Sequence, residues 1–210
     1  MSLPRELDPV EIRVLGCLLE KERTTPDAYP LSLNSLVAAS NQKSNRDPVM
    51  TLSESDVRAA LDRLHEEVLV WPVAGARIEK WRHSLERRLN LGSETGALLT
   101  LLLLRGPQTA GELRARAERM HHFSNTSEIE TILVSWAQGD EALTVHLERR
   151  PGQKESRWMH LVGGQPIESE APFIAASPRS AATSGLSDRV TELEERVAAL
   201  EELIEKNFQV

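Results

Sequence analysis

The side chains best suited to chemistry near neutral pH are six histidines, His65, His83, His121, His122, His146 and His160, and a single cysteine, Cys17. A metal centre needs several such ligands at a recognisable spacing, and none of the six histidines completes one. Adjacent residues point to different faces of a helix, so His121-His122 suits a surface or an interface better than a shared ion. Cys17 lies within the apolar run Val14-Leu15-Gly16-Cys17-Leu18-Leu19, where a buried, inert thiol is expected. One cysteine also excludes an intramolecular disulfide. Neither a glycine-rich phosphate loop nor a nucleophile elbow occurs. These residues point away from an enzyme, and no metal or cofactor site is expected.

What remains is the chemistry of charged side chains meeting a partner. Phosphates are held by lysine and arginine, because neutralising them releases counterions. Lys43, Asn45 and Arg46 stand in a polar loop, and Arg77, Lys80 and Arg82 lie on or beside a first hairpin, with Arg87 and Arg88 following. Arg149, Arg150, Lys154 and Arg157 flank a second hairpin. The expected contacts to nucleic acid or another partner are Lys43, Asn45, Arg46, Arg77, Arg82, Arg150 and Lys154.

Charge balance argues against a polyanion. The 210 residues carry 25 basic and 32 acidic side chains, a formal net charge of -7. Most of the excess falls in residues 163–210, so the head is nearly neutral and no part is basic overall. The helix expected over residues 54–67 has five acids against Arg58 and Arg63, and that over residues 127–138 has two acids and no base. A non-enzymatic protein-interaction adaptor is the first expectation, and a DNA-binding transcriptional regulator is the alternative.

These side chains need elements to position them. Asp8, Pro9 and Glu11 carry the signature of a capped helix start, and Val10, Val14, Cys17 and Leu18 repeat at helical spacing. Thr25 before Pro26 closes that helix. A second helix is expected from Leu33 to about Ser40, then a turn-rich loop from Asn41 to Pro48. Ser53 and Asp56 open a third helix, with Val57, Leu61, Leu64 and Val68 as its apolar stripe. The period then falls to two over Leu69 to Val73, with Pro72 marking an edge strand, and Ile78 to Trp81 can return as its partner.

The same order repeats. Ser93 to Arg105 is a strongly apolar helix, Thr109 with Glu112 opens another through about Met120, and Ser127 with Glu130 opens a third. Leu143 to Leu147 and Ser156 to Val162 then alternate as two strands. Three helices and a hairpin, given twice, is the order of winged-helix modules. The expected fold is mainly α with small β-hairpins. It comprises winged-helix domains at 1–91 and 92–163, a linker at 164–185 rich in small residues, and a coiled-coil helix at 186–208.

In that last segment Leu186, Val190, Leu193, Val197, Leu200 and Ile204 repeat at spacings of four and three. Leu at d with Val or Ile at a favours parallel two-stranded coils. Arg189 and Arg196 at g would face Glu194 and Glu201 at e of the partner chain. Self-association is expected, with docking of the helix on its own head as the alternative.

Several stretches together resemble the YceH-like family of uncharacterised bacterial proteins. They include Val14-Leu15-Gly16-Cys17-Leu18-Leu19-Glu20-Lys21, Thr24-Thr25-Pro26-Asp27-Ala28-Tyr29-Pro30-Leu31-Ser32 and Asn41-Gln42-Lys43-Ser44-Asn45-Arg46-Asp47-Pro48-Val49-Met50. Leu102-Leu103-Leu104-Arg105-Gly106-Pro107-Gln108-Thr109 and Pro151-Gly152-Gln153-Lys154-Glu155-Ser156-Arg157 continue the match. The resemblance implies a tandem winged-helix fold and no established activity, cofactor or catalytic residue. Within it, the loop from Asn41 to Pro48 either binds phosphates or braces the third helix.

No basic stretch leads into an apolar one at the N-terminus, and the longest apolar run, Ala97 to Leu104, is too short to span a bilayer. No membrane partner is expected, and a cytoplasmic location is.

Overall fold

The computed structural model describes residues 3, 5–74, 78–139, 141–149 and 155–165. Arg77, Arg150 and Lys154 lie outside the described residues, as does the expected coiled-coil segment with Leu186, Val190, Leu193, Val197, Leu200 and Ile204.

The described part is mainly helical, with two small antiparallel sheets. Helix α1 runs over Pro9–Thr24. The Asp8 side chain accepts from the amides of Val10 and Glu11, while the Glu11 carboxylate accepts from the Asp8 amide at 2.8 Å. This is the capping box read from the sequence. Strand β1 (Leu31–Ser32) leads directly into α2 (Leu33–Ser40), and α3 spans Glu54–Glu66 behind a second capping box from Ser53 and Asp56.

Strands β2 (Val70–Pro72) and β3 (Lys80–His83) form the first hairpin; β2 falls within the expected Leu69 to Val73, and β3 lies two residues later than the expected Ile78 to Trp81. The sheet order is β1-β3-β2, so Pro72 sits on an edge strand where its missing N–H costs nothing. β1, paired through Leu31 with Trp81, has no sequence signal because two residues show no period. The short helix α4 (Leu85–Leu89), five residues long, likewise has no sequence signal.

Val68 does not extend the apolar stripe of α3. The Val68 amide donates to the His65 carbonyl and the Leu69 amide to the Leu64 carbonyl, the double hydrogen bond of a Schellman ending. That closure puts Val68 at φ 62, where glycine is usual, and leaves it 46% exposed. Leu69 turns into the core instead.

Helices α5 (Ser93–Arg105), α6 (Ala110–Ala117) and α7 (Thr126–Trp136) follow, then strands β4 (Thr144–Leu147) and β5 (Arg157–His160). α6 begins with a third capping box, Thr109 with Glu112, but ends three residues before Met120. α7 starts earlier than expected. Its cap is Asn125, whose side chain accepts from the Glu128 amide at 3.0 Å, in place of Ser127 with Glu130.

Every residue from Gly96 to Leu104 is buried, and the helix divides its apolar side chains between two cores. Leu99, Leu103 and Leu104 join the core of α1, α2, α3 and the first sheet. Leu98, Leu101 and Leu102 join Leu113, Phe123, Ile129, Leu133 and Trp158. A helix apolar on all sides must be covered on all sides, since each buried leucine contributes roughly 1.5–3 kcal/mol. α5 thereby links the two halves, and the Leu7 amide adds a hydrogen bond to the Val162 carbonyl at 2.9 Å. Among the described residues no helix is long and apolar enough to cross a membrane.

Candidate functional site

The polar loop after α2 is built from within. The Asn41 side chain donates to the Leu52 carbonyl at 2.8 Å and accepts from the Leu52 amide at 2.7 Å, closing the loop like a ladder rung. Arg46 turns inward. Its guanidinium donates to Glu20 Oε1 at 3.1 Å and Oε2 at 2.7 Å, and its Nε donates to the Ala39 carbonyl. Arg13, also buried, donates to the carbonyls of Ser40 and Pro48. Burial favours the neutral form of the Glu20 carboxyl, but the Arg46 hydrogen bonds and charge outweigh it and lower its pKa.

Arg46 thus ties the loop to α1 and α2, and its side chain has no exposed surface. Asn45 takes a left-handed conformation (φ 58), and its Oδ1 accepts from Arg105 at 2.9 Å, tying the loop to the end of α5. Lys43 is exposed on the same loop. Cys17 is buried behind Arg46 and Ser40, and burial pushes its thiol up, as an inert core residue requires.

The outward side of α3 is acidic. Glu54, Asp62 and Glu66 are exposed, whereas both arginines of the helix are engaged within the chain. Arg58 pairs with Glu79 and lies 5.7 Å over the Trp81 ring. Arg63 donates to Asp8 Oδ2 at 2.5 Å and to Glu11 Oε1 at 2.9 Å. Arg5 holds both oxygens of the same Glu11 carboxylate, at 2.7 and 2.9 Å. Burial alone would raise the Glu11 pKa, but Arg5, the Asp8 amide and Arg63 together bring it down to about 2. Arg63 and Arg5 thus neutralise a buried carboxylate at the start of α1.

The exposed Arg82 stands on β3 opposite Trp71 and lines an open cavity of about 370 Å³ with Glu22, His83, Ser84, Glu86 and Arg87. In the second half a wider groove of about 730 Å³ runs between α7 and the β4–β5 hairpin. Val134, Trp158 and Ala110 give it apolar walls, and Glu130, Arg149 and Glu155 stand around them. His146 and Ser156 face each other there, Nε2 to Oγ at 2.7 Å, with the His146 ring 4.6 Å from that of Trp158. Of the residues expected to meet a partner, Lys43 and Arg82 are exposed on different elements, Asn45 is bonded to Arg105, and Arg46 is buried.

A family profile described as "Protein of unknown function, DUF480" matches residues 7–153. This chain belongs to the DUF480 family. Curated relatives extend the match beyond that region. A UPF0502 protein of Acidovorax sp. (strain JS42) is 47% identical over 208 residues, covering 96% of this chain and 92% of its own length. A UPF0502 protein of Geobacter sulfurreducens is 48% identical over 196 residues, covering 93% of this chain and 87% of its own. One of Paraburkholderia phymatum is 46% identical over 203 residues, covering 95% and 87%. An uncharacterised bacterial family, as the sequence resemblance had it, is the right placement.

Proposed function

We propose that this DUF480 protein is a non-enzymatic adaptor, two winged-helix modules in series, that recognises a basic surface on another protein. The modular reading is supported by the repeated order of three helices and an antiparallel hairpin, α1-α2-α3-β2-β3 and α5-α6-α7-β4-β5. One observation carries the adaptor reading. In such modules the third helix is the usual recognition helix. Here its exposed face presents Glu54, Asp62 and Glu66, and its two arginines are held by Glu79, Asp62, Asp8 and Glu11. Pressed into a DNA groove, that face would meet like charge, whereas a basic protein patch would be both steered and held by it. The heptads at 186–208 support self-association, which would display two such faces on one assembly.

The test compares the full chain with its Glu54→Lys/Asp62→Lys/Glu66→Lys variant as baits in nuclease-treated lysate. Proteins retained by the wild type and lost by the variant support the reading. Capture that disappears with nuclease, together with a low-salt shift of random duplex DNA, would replace it with DNA binding.

A further inference from the structure

Glu22 lies in the last turn of α1, His83 ends β3 and Glu86 lies in the first turn of α4. One ligand atom from each falls within 4.8 Å of the other two. His83 Nε2 is already 2.7 Å from Glu22 Oε2. The His83 side chain is 2% exposed, and its Nδ1 has no hydrogen-bond partner among the described residues. All three residues line the same open cavity beneath Trp71 and Arg82. We infer that Glu22, His83 and Glu86 form a binding site for one divalent transition-metal ion, with zinc as the best-matched ion.

The donor set argues for the class of ion. One imidazole nitrogen and two carboxylates suit zinc, whereas calcium takes six to eight oxygens and magnesium an octahedron of them. Two carboxylates with a neutral imidazole also cancel the charge of a divalent cation. In a tetrahedral site with bonds of about 2.0–2.1 Å the ligand atoms stand roughly 3.3 Å apart. The His83–Glu22 pair is a little closer than that and Glu86 is within reach, so small side-chain rotations close the set.

The ion takes the place of the proton that joins Nε2 to Oε2 in its absence. The histidine itself is fixed in place. Its backbone amide donates to the Tyr29 hydroxyl at 2.9 Å, and it pairs across the sheet with Val70.

Opposing charge is present and limits affinity. Arg23 pairs with Glu86, and Arg82 and Arg87 line the cavity. Filling the site would clip α1, β3 and α4 together at the base of the first hairpin. The cavity side leaves the remaining coordination position to water. This assignment is independent of the partner proposed for α3.

The experiment is calorimetric titration of the untagged full chain with zinc chloride, with cobalt(II) substitution read by its visible absorption. One ion per chain and a tetrahedral cobalt spectrum are expected, with a zinc-dependent rise in Tm. Glu22→Gln and Glu86→Gln should each weaken binding by about tenfold or more, and His83→Gln should abolish it. Glu94, His121 and Glu128 form a second, half-exposed cluster, so His121→Ala is the control and should leave binding unchanged. Glu86 is half-exposed, which keeps its variant informative even where His83→Gln fails to fold. No zinc binding, binding untouched by Glu22→Gln and Glu86→Gln, or binding lost with His121→Ala would each overturn the assignment.

Discussion

Arg46 and Glu20, 26 residues apart, meet as a two-pronged ion pair in which the arginine is buried and the carboxylate nearly so. The same guanidinium donates to the Ala39 carbonyl, so one side chain pins the polar loop to both α1 and α2. Removing one member of a buried pair leaves the other charged and unpaired, which costs about 3–5 kcal/mol. Arg46→Ala should lower stability by roughly 3 kcal/mol in urea denaturation. Adding Glu20→Ala to it should cost less than the two single changes summed, because the pair is one interaction. Strict additivity would show that the loop is held by other contacts.

Val68 offers the opposite sign. A β-branched residue at φ 62 is strained by about 1–3 kcal/mol, and the Schellman ending of α3 demands that conformation. Val68→Gly releases the strain while making the unfolded chain freer and removing a half-exposed side chain. A net gain of about 0.5–1 kcal/mol is expected in the same denaturation assay. A loss would show that the side chain packs more tightly than its exposure indicates.

At Gly16, α1 packs directly against α5. A methyl group there would sit 2.8 Å from Leu104 Cδ2 and 3.2 Å from Leu103 Cβ. Helix propensity favours Gly16→Ala by about 1 kcal/mol, and overpacking opposes it by about 1–3 kcal/mol. The clash should win, and Tm should fall. A rise in Tm would mean that α5 can move away from α1 at little cost.

Acid should destabilise the fold in two stages. Burial lowers the His160 pKa from 6.5 to about 4, so the unfolded chain takes up a proton that the folded one refuses. Stability contributed by neutral His160 is whole above about pH 6.5 and falls by on the order of 3 kcal/mol as pH drops to about 4. Glu11 acts lower. Its stabilisation is present above its ordinary 4.5 and is lost as pH falls toward about 2. His160→Gln should flatten the upper stage of a pH series of urea midpoints and leave the lower one. An unchanged upper stage would assign it to another group.

The heptads at 186–208 predict that light scattering gives a dimer for the full chain and a monomer for a chain cut after Gly185. A monomer in both cases would reject self-association through that segment.

Local order was legible in the residues because its causes are local. Asp8 with Glu11, Ser53 with Asp56 and Thr109 with Glu112 each stand three apart, and each forms the reciprocal cap that this spacing dictates. Boundaries slipped where a neighbour intervened. Asn125 captured the start of α7 ahead of Ser127, and the closure of α3 expelled Val68 from its stripe. The charge of α3 could be counted from its sequence, but not the engagement of Arg58 and Arg63, since Glu79, Asp8 and Glu11 come from other elements.

The sequence by itself determined the helices α1, α2, α3, α5, α6 and α7, the two hairpins, the acidic third helix and the family. Each of these follows from spacing over a few residues or from likeness along the chain. Only the tertiary structure decided that Arg46 is buried against Glu20, that α5 serves two cores, and that Glu22, His83 and Glu86 share a cavity. Those outcomes depend on contacts across 26 to more than 60 residues. There the periodicity of a single strand or helix carries no information, and packing sets which side chains meet.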